Sequence, residues 1–154
     1  VKGRSSILLG LGNPIMSDDG IGLVVSEAIH GRLPGFVLDM SSAGGFDVVD
    51  RILGYGRAVI IDSMVTGRYP RGTVVRIDND ASIETVRIGH SHGIDFVRAI
   101  ELARSCGAAV PEEVVIYGIE VADPFSIGEE ISAVLLENLE SIVDHIVRDF
   151  SESR

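Results

Sequence analysis

Residues Gly10-Leu11-Gly12-Asn13-Pro14-Ile15-Met16-Ser17-Asp18-Asp19, running on through Gly20-Ile21-Gly22, join the apolar run Ile7 to Leu11 to a stretch with helical spacing. Reading them as a strand-to-helix junction fixes the class of fold, because the apolar segments that follow repeat the same alternation. The junction also carries two adjacent carboxylates. Glycine there lets a backbone approach a ligand closely, but an acidic pair repels phosphate and attracts cations. A metal ion or a proton therefore suits this turn better than a nucleotide does.

Outward from the junction, the runs Ile7 to Leu11, Phe36 to Leu38, Ala58 to Ile61, Val74 to Ile77 and Val114 to Ile119 are short and rich in β-branched residues, as buried strands are. Helical spacing appears in Ile21, Val24, Val25, Ala28 and Ile29; in Phe96, Ile100, Leu102 and Ala103; and in Val134, Leu135, Leu139, Ile142, Val143 and Ile146. A shorter helix is predicted over Asp47 to Leu53, after the loop Ser41 to Gly45. The last helix is expected to begin between Glu129 and Ser132, with Ser126 or Ser132 as its cap. This β-α-β-α-β order predicts an α/β protein: a three-layer αβα sandwich around a five-stranded, mostly parallel twisted sheet. Val74 to Ile77 follows Ile61 after a polar segment containing Gly67, Pro70 and Gly72, too broken for a crossover helix. It reads as one antiparallel edge strand.

The 154 residues match one domain, and no linker or low-complexity stretch divides 1–154. With 45% hydrophobic and 23% charged residues the chain is not a disordered one. Thirteen basic against twenty-three acidic residues give a net charge of −10, which opposes a nucleic-acid partner unless basic residues cluster, and they do not. No apolar segment approaches the roughly 20 residues that cross a bilayer, and no cleavable signal pattern is visible, so a cytoplasmic location without membrane contact is expected. A single cysteine, Cys106, excludes an internal disulfide and a thiolate metal cluster. It precedes Gly107 at a predicted helix C-terminus, where the dipole raises a thiol pKa.

In an open α/β sheet the ligand crevice lies outside the carboxyl ends of the strands. Asp62 ends the run Ala58 to Ile61 abruptly, and a neighbouring first strand would deliver Asp18 and Asp19 to the same edge. Acids in the first turn of a helix also interact favourably with its dipole, by about 0.3 to 1 kcal/mol each, which accounts for one of the pair. It does not account for Gly20 and Gly22, each costing about 1 kcal/mol against alanine in a helix interior. Something is expected to approach that backbone. Of the four histidines, His30 and His145 read as structural, while His90 and His92 lie in Gly89-His90-Ser91-His92-Gly93 just before a helix. Two carboxylates and one imidazole would form an open site for a borderline divalent ion such as nickel or zinc, able to polarise a carbonyl and activate water. Ser63 offers no competing nucleophile, since no base near it is evident.

The motif Gly10-Leu11-Gly12-Asn13 with Asp18-Asp19-Gly20 and Gly22 resembles the N-terminal motif of the hydrogenase maturation proteases. These peptidases trim the large subunits of nickel-iron hydrogenases. Ile60-Ile61-Asp62-Ser63 looks like the family's strand-ending aspartate, and Gly89 to Phe96 like its histidine segment. Val115 to Glu120, Gly128 and Ser132 also look similar, so the resemblance runs along nearly the whole chain. It implies a phosphorylase/hydrolase-like fold and an endopeptidase that removes a short C-terminal peptide from a nickel-loaded hydrogenase large-subunit precursor. Asp19, Asp62 and His90 would contact the metal, with His90 preferred over His92, and Asp19 or Asp62 would serve as catalytic groups. The family is thought to recognise nickel already loaded into its substrate, so nickel would come with the precursor. No organic cofactor is implied, and a monomer with a free edge would suit so large a partner.

Two other readings compete. One is a metal-binding module without peptidase activity. The other is a peptidyl-tRNA hydrolase, suggested by Gly10-Leu11-Gly12-Asn13-Pro14. The pattern expected after that opening is missing, and the net charge of −10 opposes tRNA binding.

Overall fold

A computed structural model describes residues 5–78 and 93–153. Among the described residues five strands form one sheet: β1 (Ser6–Leu11), β2 (Phe36–Ser41), β3 (Arg57–Met64), β4 (Val74–Asp78) and β5 (Glu113–Glu120). Their order across the sheet is β2-β1-β3-β5-β4. The first three pairings are parallel, and β4 runs antiparallel to β5 at the edge. The antiparallel edge strand read from the sequence is therefore present, and β1 is indeed the neighbour of β3.

The helices are α1 (Ile21–His30), α2 (Phe46–Ile52), α3 (Gly93–Ser105), α4 (Ala133–Glu137) and α5 (Leu139–Glu152). Strand side chains alternate between faces, and the core divides accordingly. Leu8, Val59, Ile61, Val115 and Tyr117 pack with Ile21, Val25 and Ile29 of α1 and with Ile142, Val143 and Ile146 of α5. Ile7, Leu9, Ala58, Ile60 and Ile116 pack instead with Val48, Val49 and Ile52 of α2 and with Phe96 and Ile100 of α3. Three layers result, because strands buried on both faces need a helical cover on each.

The last helix departs from its sequence reading. It is two helices that meet at Asn138, whose side-chain Nδ2 donates to the Val134 carbonyl at 2.7 Å. Neither candidate cap acts through its hydroxyl: Ser126 Oγ donates to Asp123, and Ser132 holds the position before α4 without a side-chain cap bond. The backbone N–H of Ser132 donates to Asp18 Oδ1 at 2.7 Å instead. Leu102 and Val134, read as part of buried stripes, are exposed. Among the described residues no helix is long and apolar enough to cross a membrane.

The order of the strands decides where a ligand can enter. The chain goes from β1 to β2 on one side and then returns to place β3 on the other. Connections from β1 and β3 therefore leave in opposite directions, the arrangement in which open α/β sheets form a ligand crevice at the carboxyl ends of the strands.

Candidate active site

β3 carries Ile61 opposite Gly10 of β1, so Asp62 emerges one residue further on, at that crevice. From β1 the chain continues through Gly12 and Asn13 into a 3-10 turn, Ser17–Gly20, before α1 begins at Ile21. Asp18 and Asp19 thus belong to this turn and not to the first turn of α1, contrary to the dipole argument from sequence. The two acids then part. Asp18 is buried and tied through Oδ1 to Ser132, while Asp19 is directed at β3.

Asp19 accepts from the backbone N–H of Asn13 at 2.9 Å through Oδ2 and from the hydroxyl of Ser63 at 2.8 Å through Oδ1. The backbone N–H of the same Ser63 donates to Asp62 Oδ1 at 2.8 Å. One residue therefore joins both carboxylates. Asp62 is only 6% exposed, and its acid is pushed up to about 8, first by burial and then by the charge of Asp19, against the opposing pull of the Ser63 N–H. Asp62 Oδ2 has no hydrogen bond to any described residue. Two neighbouring carboxylates, one of them with an oxygen that no described residue bonds, are a donor set that a divalent cation fits, since its charge offsets their repulsion and oxygen or nitrogen ligands suit a borderline ion.

Main-chain approach shapes the turn that carries Asp19. A Cβ on Gly22 would lie 2.1 Å from the Leu11 carbonyl oxygen and 2.7 Å from that of Ile61. Bare backbone is required there for α1 to start directly on the ends of β1 and β3. A Cβ on Gly12 would lie 2.2 Å from the carbonyl oxygen of Asp19. What approaches the backbone at Gly22 is thus the sheet itself, not a ligand as the sequence suggested. Gly20 has room for a Cβ, with its nearest neighbours at 3.5 Å.

The loop after β5 fastens the turn from outside. Met16 and Gly128 form a parallel bridge, and the N–H of Ser17 donates to the Gly128 carbonyl at 2.7 Å. Ser17, whose φ is +46°, also donates its hydroxyl to the Glu130 carbonyl at 2.9 Å. These bonds hold a non-glycine residue in a left-handed conformation it rarely adopts.

His90 and His92 lie outside the described residues. Among the described residues no group of three or more His, Cys, Asp or Glu side chains is placed to hold a metal ion. His30 bonds through Nε2 to the Phe36 carbonyl at 3.1 Å, and His145 is exposed on α5, in keeping with structural roles for both. Cys106 is free and exposed at the end of α3. Along the sequence no base for Ser63 is evident, yet in the fold a carboxylate oxygen of Asp19 lies 2.8 Å from its hydroxyl. The only signal was its place directly after Asp62, which says nothing of a partner forty-four residues earlier.

Solved structures with this arrangement of elements are known. The chain superposes on the hydrogenase maturating endopeptidase HybD from E. coli with a TM-score of 0.79 at 15% identity, covering 97% of this chain and 94% of that one. It superposes on the [NiFe] hydrogenase maturation protease HybD from Thermococcus kodakarensis with a TM-score of 0.70 at 22% identity, covering 94% and 98%. Its fold is that of the hydrogenase maturation proteases. A third structure, that of the hydrogenase 3 maturation protease, matches with a TM-score of 0.67 at 21% identity over 94% of this chain and 90% of that one. No protein-family model matches the sequence, and neither does any curated protein. The likeness therefore lies in the three-dimensional arrangement.

Proposed function

We propose that this protein is an endopeptidase that removes a short C-terminal peptide from the nickel-loaded precursor of a nickel-iron hydrogenase large subunit. The observation that carries this reading is the meeting of Asp19 and Asp62 around Ser63 at the crevice between β1 and β3. Its fold is shared, along most of the chain, with structures of hydrogenase maturation proteases. Asp19, Asp62 and His90 would contact nickel that arrives on the precursor, as the sequence resemblance implies. Oxygen and nitrogen donors without thiolate hold nickel moderately, which leaves the precursor's own thiolates as the stronger ligands.

Hydrolysis joins the oxygen of water to the scissile carbonyl carbon, breaks the carbon–nitrogen bond and gives a proton to the departing amine. Metal contact supplies polarisation of the carbonyl or of the water. Asp62 suits the proton-carrying role, since Oδ1 is fixed by the Ser63 N–H and Oδ2 accepts no bond from a described residue. Asp19, bonded through both oxygens, suits the role of fixed ligand and charge. The partner is the precursor, with no nucleic acid and no membrane, and the setting is the cytoplasm.

The test is to mix the protein with the precursor in its nickel-loaded and nickel-free forms and to follow the C-terminal mass of each by intact mass spectrometry. Loss of a short peptide from the loaded form alone is expected. Nickel binding without loss of peptide from any cognate precursor would overturn the peptidase and favour a metal-binding module.

A further inference from the structure

Ser63 stands between the two acids with its side chain and its main chain turned to different tasks. It is 1% exposed, lies in β3 one residue beyond Asp62, and has its hydroxyl 2.8 Å from Asp19 Oδ1 and its N–H 2.8 Å from Asp62 Oδ1. The N–H bond would be made by any residue other than proline. The hydroxyl bond is the part that depends on serine, and it crosses from β3 to the turn before α1. Asp19 is only partly buried and has one other described bond, from the N–H of Asn13 to Oδ2. Without the hydroxyl its carboxylate could turn about the Asn13 bond.

We infer that Ser63 is a positioning residue: its hydroxyl locks the carboxylate of Asp19 so that this group and Asp62 face one cation with fixed geometry. A carboxylate oxygen has about two acceptor positions. With one bond to a described residue on each oxygen, Asp19 has a second acceptor position on each to offer a metal, now at a set angle. Hydrogen bonds of this kind to a ligating carboxylate tune its orientation and typically change metal affinity or activity by about 10- to 100-fold. This inference rests on the proposed site for Asp19 and Asp62. It assigns Ser63 no contact with substrate, and the proton of its hydroxyl stays committed to Asp19.

The experiment titrates purified full-length protein with Ni2+ and follows binding by paramagnetic broadening of amide resonances and by calorimetry. Native protein, Ser63→Ala, Ser63→Thr, Asp19→Ala and Asp62→Ala are compared, each checked by its melting temperature. Ser63→Ala is expected to weaken nickel binding by about tenfold or more with little change in melting temperature, while Ser63→Thr, which keeps the hydroxyl, stays within about threefold of native. Native affinity in Ser63→Ala, with binding lost in both aspartate variants, would overturn the role of Ser63 and leave the site standing. Native affinity in the aspartate variants, or no binding by the native chain, would overturn the site and this inference with it. Equal weakening in Ser63→Ala and Ser63→Thr would reduce Ser63 to packing and also overturn the inference.

Discussion

Strands β3 and β5 lie side by side, with Met64 opposite Glu120, and each delivers a buried carboxylate near the same edge of the sheet. Their surroundings differ. Glu120 accepts from the N–H groups of Thr66 and Gly67 through Oε1 and from the Thr66 hydroxyl through Oε2, each at 2.9 Å. It pins the start of the loop that leads from β3 to β4. Asp62 accepts one N–H, faces the charge of Asp19 and keeps Oδ2 without a described partner. Burial alone does not distinguish a structural acid from a chemical one; the number of partners does. Glu120 is a clamp because its acceptor capacity is used within the fold, whereas among the described residues Asp62 has one partner, which is what the proposed site needs.

The largest effect expected from breaking this contrast is on activity. On the proposed function, Asp62→Ala should lower the rate of precursor processing by about 10²- to 10⁴-fold, read by mass spectrometry, while the folded state persists. A fully active Asp62→Ala protein would refute the site.

Glu120→Ala should do the reverse at the level of folding. It leaves the N–H groups of Thr66 and Gly67 without their acceptor and is expected to cost about 2 to 3 kcal/mol, measured by urea unfolding, with faster hydrogen exchange along the loop. Unchanged stability would remove the distinction drawn between the two acids.

The contrast sharpens further with pH in a metal-free, chelated buffer. The folded chain keeps the Asp62 proton up to about 8, whereas an unperturbed aspartate releases it at 3.8. Between these values the folded state binds the extra proton, so this contribution to stability is full below the lower value and is lost as pH rises through about 8. The melting temperature of native protein relative to Asp62→Asn should therefore fall from pH 5 to pH 9. A constant difference over that range would show that Asp62 is not held neutral.

Smallest is the effect at Asp18, whose Oδ1 accepts the N–H of Ser132. Asp18→Ala is expected to cost about 1 to 2 kcal/mol in unfolding and to loosen the turn that carries Asp19. A loss as deep as that of Asp62→Ala, with stability unchanged, would move Asp18 from support to chemistry.

Much of this was legible along the chain. The five strands, the antiparallel edge strand and three of the helices follow from the period of apolar residues, because burial of a strand on both faces or of a helix on one leaves a repeating local trace. The acidic pair after β1 and the acid following Ile61 were legible for a similar reason: polar residues break an apolar run. Asp62 does not end its strand, however, since β3 runs on to Met64 through its pairing with β5. The division of labour between Asp18 and Asp19 was not legible. It depends on bonds to Ser132 and Ser63, separated from them by 114 and 44 residues, and no local pattern records such a pairing. The break of the last helix at Asn138 escaped as well, since the apolar spacing continues across it.

Sequence by itself determined which segments would be strands, which would be helices and which acids would interrupt the apolar runs, since propensity and period act over a few residues. Only the tertiary structure decided the strand order, and with it the crevice between β1 and β3. It also decided that Gly22 serves the contact between helix and sheet, and that Ser63 joins two carboxylates. Those outcomes depend on which distant atoms come within bonding distance, and that is fixed when the layers pack.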